Sequence, residues 1–387
     1  MSDRALLWLV AGYLSLQPLS TDLYLGSLPH LAHYFGVGVA AAQATLTVFV
    51  IGVGVAQLLA GPLADRYGRR PVAVGGCLTY AIASVLCALA PSIALLIAGR
   101  LLQALGCCSV IVCARAIIRD RHDPAHGAAV IARASSILAF VPLFGPVIGS
   151  YTQVWFGWRA AFAIHALCAS LLLAATLRWL SETHPAPDRH ALHPGRLLAA
   201  YADIARNRAF WAYALPGALT YAAIFVYIAG SSFAFIEVLH VPTERYGFCF
   251  VFAVCGYLLG TLACRRLIPR HGLPRVLRAG TALSLLGGGG LAATVYAGVA
   301  HWAVLLAAQF LVMTAHGLNQ PCAQAGVVGP FTARAGTAAG LFGFLTMTLA
   351  LAVGTALGLL HDGSLRPLAL LSAGVGVLAY AAGRLPR

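Results

Sequence analysis

Lysine is absent from this chain, and all 25 basic residues are arginine. That removes the phosphate-loop lysine of a Walker A site and any lysine Schiff base, so no ATP-driven engine is expected. Charge as a whole is scarce. Only 9% of the 387 residues are charged, 11 of them acidic, while 60% are hydrophobic; a soluble domain is about a quarter charged. A soluble globular protein is thereby excluded. Ten cysteines are present but form no CxxC pair and lie mostly inside apolar runs, which excludes a disulfide framework and a zinc site. No HExxH zinc motif and no GxSxG nucleophile elbow occurs, and the expectation is a protein that is not an enzyme, needing no cofactor and no metal.

What the chain has in abundance is apolar length. A mean hydropathy of +0.85, at about 20 residues per span and about 30 Å of hydrocarbon, leaves room for roughly a dozen membrane helices. Apolar runs read as spans near 5–28, 41–62, 71–90, 93–116, 128–151, 158–179, 209–234, 247–264, 276–297, 301–321, 335–358 and 366–383. The net charge of +14 could signal nucleic acid, so the positions of the arginines decide. Twenty of the 25 lie at or beyond alternate span boundaries; Arg159, Arg245 and Arg366 lie on the other side, and Arg100 and Arg115 fall within the fourth span. This asymmetry places both termini in the cytoplasm by the positive-inside rule. The basic balance is membrane topology, and no nucleic-acid partner is expected. The first apolar run extends too far and carries Gln17 and Asp22, so it reads as a retained span and not a cleaved leader. His122 and His126 are spaced i, i+4, but Pro124 interrupts a helix there, and solvated loop histidines are expected.

The longest polar stretch, 181–208, contains Pro185, Pro187 and Pro194 and divides six spans from six. It reads as a cytoplasmic linker between an amino-terminal half, 1–180, and a carboxy-terminal half, 209–387. An internal repeat supports the division. Gly61-Pro62-Leu63-Ala64-Asp65-Arg66-Tyr67-Gly68-Arg69-Arg70-Pro71 follows the second span, and a degenerate relative, Gly260 to Arg266 continuing to Gly272, follows the eighth.

The turn at 61–71 resembles the signature loop of the major facilitator superfamily, G-x-L-a-D-r-x-G-R followed by Arg or Lys. Further segments resemble the bicyclomycin-resistance (Bcr/CflA) group of drug:proton antiporters. They are Ser20-Thr21-Asp22-Leu23-Tyr24-Leu25, Arg100 to Gly106 and Ala114 to Asp120, with Phe156 to Arg159, Tyr227 to Ser231 and Leu360 to Ser364. The chain departs from the group's pattern at Gly26, where a proline is usual, and at Ser150, where a second glycine is usual. The resemblance implies an all-α membrane protein of twelve spans in two pseudo-symmetric halves, a multi-pass monomer of the bacterial inner membrane. It also implies a proton-coupled exporter of small amphipathic or cationic compounds, working by alternating access. The rival reading is a dedicated exporter or importer of one metabolite, such as an amino-acid derivative or a metallophore. A membrane-embedded enzyme ranks far behind.

Asp22 is the sharpest candidate residue, because an ionisable group within hydrocarbon is costly and marks ion or substrate handling. At 1.5 Å per residue it lies about 25 Å from the cytoplasmic end of its span, at a depth similar to Arg100 on the fourth. The two are expected to touch, directly or through water, and to couple transport to protons. Tyr13, Gln17 and Tyr24 share one face of an ideal first helix and join Tyr227 and Glu237 as candidate substrate contacts. Gly61, Asp65, Arg66, Gly68, Arg69 and Arg70 form the expected cytoplasmic gate loop. In the family this loop acts as a latch, its aspartate meeting arginine and a helix amino terminus. Pro142, Gly145, Pro146 and Gly149 resemble the antiporter motif, where small residues and freed carbonyls permit a hinge or a tight seal.

Overall fold

The computed structural model describes residues 3–122, 124–138, 140–184, 188 and 191–385, and every regular element among them is helical. In chain order these are α1 (Asp3–Asp22), α2 (Leu28–Phe35), α3 (Val39–Tyr67), α4 (Arg69–Ala88), α5 (Ile93–Arg121), α6 (Pro124–Leu138) and α7 (Phe140–Phe156). They continue with α8 (Trp158–Trp179), α9 (Pro194–Ala205), α10 (Arg208–Ser232), α11 (Thr243–Tyr296), α12 (Trp302–Val328), α13 (Ala335–Leu360) and α14 (Arg366–Ala382). Long runs of leucine and alanine favour helix, and in hydrocarbon a helix is the one open segment that satisfies its own backbone. Polar side chains close several amino termini. Ser92 accepts from Leu95 N at 3.3 Å on α5, Asn207 accepts from Ala209 N at 2.9 Å on α10, and His301 accepts from Ala303 N at 3.2 Å on α12.

Among the described residues, nine stretches are long and apolar enough to cross a membrane. One of them, α11, runs for 54 residues because two helices meet at Gly272, whose φ of 75° leaves the helical region. The predicted first span overshoots: α1 ends at Asp22, a tight turn follows at Leu25–Ser27, and α2 begins at Leu28. The predicted second span stops short, since α3 continues to Tyr67.

The chain forms two compact units. The first comprises the residues up to Ser27 together with Val48–Leu198; in it α4 packs on α5 and α8, and α1 packs on α5, α6, α7 and α8. The second comprises Leu28–Thr47 together with the residues from Ala199 onward; in it α11 packs on α12 and α14, while α10 lies against α12, α13 and α14.

Candidate functional site

The first unit contains a polar cluster closed off from solvent. Its centre is the carboxy-terminal end of α1, where the carbonyls run short of backbone partners, the Leu19 carbonyl accepting from Leu23 N at 3.3 Å. Two side chains supply them: Arg100 Nη2 donates to the Ser20 carbonyl at 3.0 Å, and His165 Nε2 bonds the Leu19 carbonyl at 3.0 Å. A carbonyl only accepts, so Nε2 of His165 carries a proton and Nδ1 can accept from Gln103 Nε2 at 3.5 Å. A cation at a helix carboxy terminus also complements the helix dipole. These contacts from α5 and α8 hold α1 at its end just before the chain turns.

The network extends outward without an orphan. Arg100 Nη1 donates to Gln103 Oε1 at 2.5 Å, and Gln103 Nε2 donates to Ser84 Oγ at 2.7 Å. Ser20 Oγ donates to the Leu16 carbonyl at 2.6 Å, which leaves Tyr80 OH to donate to Ser20 Oγ at 2.5 Å. Tyr80, Ser84, Arg100, Gln103 and His165 are all fully buried. The charge of Arg100 is further spread over aromatic faces, with its guanidinium carbon 4.3 Å from the Phe49 ring centroid and 4.6 Å from that of Tyr24.

Asp22 stands beside this cluster, 6% exposed. Its Oδ1 accepts from Thr21 Oγ1 at 2.8 Å. The same hydroxyl lies 3.1 Å from the Pro18 carbonyl, so its single proton can serve either oxygen. The pair Asp22 with Arg100 is not among the ion pairs seen for the described residues. Near the end of α1 the Ser20 carbonyl takes one side of the guanidinium, and the Gln103 side chain takes another.

The antiporter-motif residues lie on α7, against this same end of α1. A Cβ on Gly145 would sit 3.5 Å from Asp22 Cβ, an ordinary contact, whereas one on Gly149 would collide with the Leu23 backbone. Pro146 lies inside α7 and Pro142 in its first turn. Gly149→Ala is expected to lose transport or folding, with overpacking costing roughly 1–3 kcal/mol or more. Gly145→Ala is expected to retain both. Thermal unfolding and transport of the two variants, side by side, check this grading.

The other candidates are dispersed. Tyr13 is buried with its hydroxyl on Thr176 Oγ1 at 2.6 Å, and Tyr24 is buried beneath Arg100 and beside Phe162. Tyr227 is buried between Phe250 and Phe235 in the second unit. The shared face drawn through Tyr13, Gln17 and Tyr24 does not form, because Tyr24 lies beyond the end of α1. Gln17 remains partly accessible. Glu237 sits beyond α10 with Oε1 3.3 Å from His33 Nε2.

The gate loop is shorter than its motif. Gly61, Asp65 and Arg66 are in the last turns of α3, and the turn itself is the single residue Gly68, with φ 95°. Arg69, 2% exposed, bonds Asp65 Oδ1 at 2.7 Å and Asp120 Oδ2 at 2.9 Å. The amino terminus of α4 is met by Glu182, not by Asp65. Glu182 Oε1 accepts from Arg69 N at 2.9 Å and Oε2 from Arg70 N at 3.1 Å, while Thr183 N and His184 N add to Oε1 at 2.9 Å each. Arg70 Nε donates to the Leu180 carbonyl at 2.8 Å.

Burial by itself would raise the Glu182 carboxyl, but these backbone N–H groups outweigh it and hold it below the usual carboxylate range. A depressed carboxyl contributes stability that is present above its unfolded value and lost as pH falls through its folded one. Glu182→Ala is expected to cost about 1 kcal/mol, as for a lost helix cap. The deficit should shrink as pH falls below the usual carboxylate range, in thermal unfolding at graded pH.

Glu182, Gln103, His165, Tyr80 and Ser84 escaped the sequence reading. Two signals were available. Gln103 stands three residues from Arg100, on the same helix face, and His165 is itself an ionisable residue inside an apolar span.

Comparison with known proteins agrees with this architecture. Residues 11–355 match the family model described as Major Facilitator Superfamily. A chloramphenicol resistance protein of Pseudomonas aeruginosa is 33% identical over 74% of this chain and 70% of its own. The multidrug resistance protein MdtL of Escherichia coli O45:K1 (strain S88 / ExPEC) is 33% identical over 60% of this chain, and the match spans 58% of MdtL, under two thirds of its length. Among solved structures, the human organic anion transporter MFSD10 (TETRAN) superposes with a TM-score of 0.71 at 19% identity, covering 99% of this chain and 100% of that one. A D-xylose-proton symporter gives 0.77 at 14% identity, covering 99% and 97%. At these identities the structural likeness establishes the fold alone.

Proposed function

The chain belongs to the major facilitator superfamily, and from that premise we propose that it exports small compounds across the bacterial inner membrane in exchange for protons, with Asp22 as the proton carrier. It is a multi-pass membrane transporter and not an enzyme. The efflux direction is supported by the names of its resistance relatives. Twelve spans are part of the proposal: dividing α11 at Gly272 turns the nine apolar stretches into ten, and α1 and α14 complete twelve. Two halves, 1–180 and 209–387, with both termini cytoplasmic, follow from the arginine asymmetry and the linker at 181–208.

The observation that carries the proton assignment is the position of Thr21. When Asp22 is ionised, the Thr21 hydroxyl donates to Oδ1 across 2.8 Å. When Asp22 is protonated, its own O–H can donate to Thr21 Oγ1, whose proton turns to the Pro18 carbonyl. Both states of the carboxyl keep a hydrogen bond, so proton exchange leaves no orphaned group. Arg100 acts as a fixed cation and clamp. It holds the end of α1, and with it Asp22, at one depth and orientation.

The test uses inside-out membrane vesicles containing the full chain, energised to an acidic lumen. Chloramphenicol and a panel of amphipathic compounds are added, and lumenal pH is followed with a fluorescent indicator. Compound-dependent proton efflux, removed by a protonophore, is the expected result. A response to one compound alone would favour a dedicated metabolite exporter, and no response to any would contradict the proposal.

A further inference from the structure

The second unit carries an aromatic face that the proton mechanism does not use. On α11, Phe248, Phe252, Leu259 and Leu262 are exposed along one stripe, as expected of a surface against lipid. Tyr257 projects from the opposite side of that helix, yet remains partly accessible. Its accessible surface therefore lies on the side of α11 away from that stripe. Tyr221, also partly accessible, projects from α10, on which no side chain between 209 and 232 is exposed.

His316 of α12 joins the two. Its ring stacks with Tyr257 at 5.9 Å and 25°, and meets Tyr221 edge-on at 5.6 Å and 61°. Thr220 Oγ1 donates to the Gly217 carbonyl, so it accepts from His316 Nδ1 at 3.3 Å and fixes the ring. Tyr257 OH donates to Gln320 Oε1 at 2.9 Å, leaving the Gln320 amide as a polar edge to the face. Negative charge is scarce here. Between Arg208 and Val328 the only acidic residues are Glu237 and Glu244, outside α10 and α12 and at the first turn of α11 respectively.

We propose that Tyr221 and Tyr257, braced by the buried His316 ring and edged by Gln320, form a binding face for uncharged planar aromatic compounds. Offset and edge-on ring geometries favour a flat ring slotted against these side chains. A cation would shed its water here with no carboxylate to replace it. The proposal deepens the export reading by naming a substrate class and rests on that reading, but its test involves no transport.

Binding of three probes to the purified full chain in detergent is measured by titration calorimetry. They are naphthalene-2-carboxamide, its saturated decahydro counterpart, and 2-naphthyltrimethylammonium. The naphthamide should bind roughly three- to tenfold more tightly than its saturated counterpart, and more tightly than the cation. Tyr257→Leu and Tyr221→Leu should each reduce that preference, while Tyr257→Phe keeps it. The ratio between two ligands in one variant is insensitive to partial loss of folded protein. Preference that persists in both leucine variants, tighter binding of the cation, or no binding of naphthamide by the wild-type chain would overturn the proposal. A protein that shows the ring preference but exchanges no protons contradicts the exchange reading and leaves this face standing. An exchanger without the ring preference contradicts this face alone.

Discussion

Asp22→Asn is expected to abolish accumulation driven by a pH gradient while leaving the protein folded. Asparagine has the same shape as aspartate, and its amide can keep a hydrogen bond to Thr21 Oγ1, which lies 2.8 Å from Oδ1 in the wild-type chain. What the amide cannot do is release a proton at any pH in the working range. The expected variant therefore binds compound and exchanges it between the two sides of a vesicle, but no longer concentrates it against a gradient. Counterflow and gradient-driven uptake in the same vesicle preparation separate the two. Loss of both would point to a folding or binding defect. Retention of both would remove Asp22 from the coupling mechanism.

Arg100→Lys is expected to slow transport roughly 10- to 100-fold. The guanidinium fork bonds Gln103 Oε1 and the Ser20 carbonyl at once while its plane lies near Phe49 and Tyr24. An ammonium is a compact point charge on a flexible stem and cannot reproduce that combination. Loss of one hydrogen bond to a charged group is worth about 1.5–3 kcal/mol, which corresponds to the stated range when it appears in a rate. The consequence is positional: the end of α1 is held less firmly, and Asp22 with it. Transport per folded molecule, compared with the wild-type chain, checks this. Equal rates would reduce Arg100 to a generic positive charge.

The arginine distribution and the motif at 61–71 made the membrane class and the family readable before any coordinates, because both are local in the chain. Asp22 and Arg100 were legible for the same reason, since each is an isolated charge in an apolar run. Their partners were not. Arg100 meets Ser20 from 80 residues away, and Glu182 meets Arg69 from 113 residues away. Such pairings depend on where helices end and on which neighbours they have. The expectation of an Asp22 to Arg100 contact rested on similar depth within two spans, and depth alone does not reveal that the Ser20 carbonyl at the end of α1 accepts from the guanidinium. The aromatic face was dispersed over α10, α11 and α12, and no periodicity within one helix could assemble it. Tyr227, another candidate contact, is packed between Phe250 and Phe235.

In the proposed exchange, Asp22 gives up its proton when a compound binds. This is tested most directly by adding a transported compound to purified protein in weakly buffered detergent solution and recording pH with a soluble indicator. Proton release by the wild-type chain, absent from Asp22→Asn at equal compound occupancy, is the predicted result. Equal release by the two proteins, or none by the wild-type chain while the compound demonstrably binds, would remove Asp22 as the site of proton exchange.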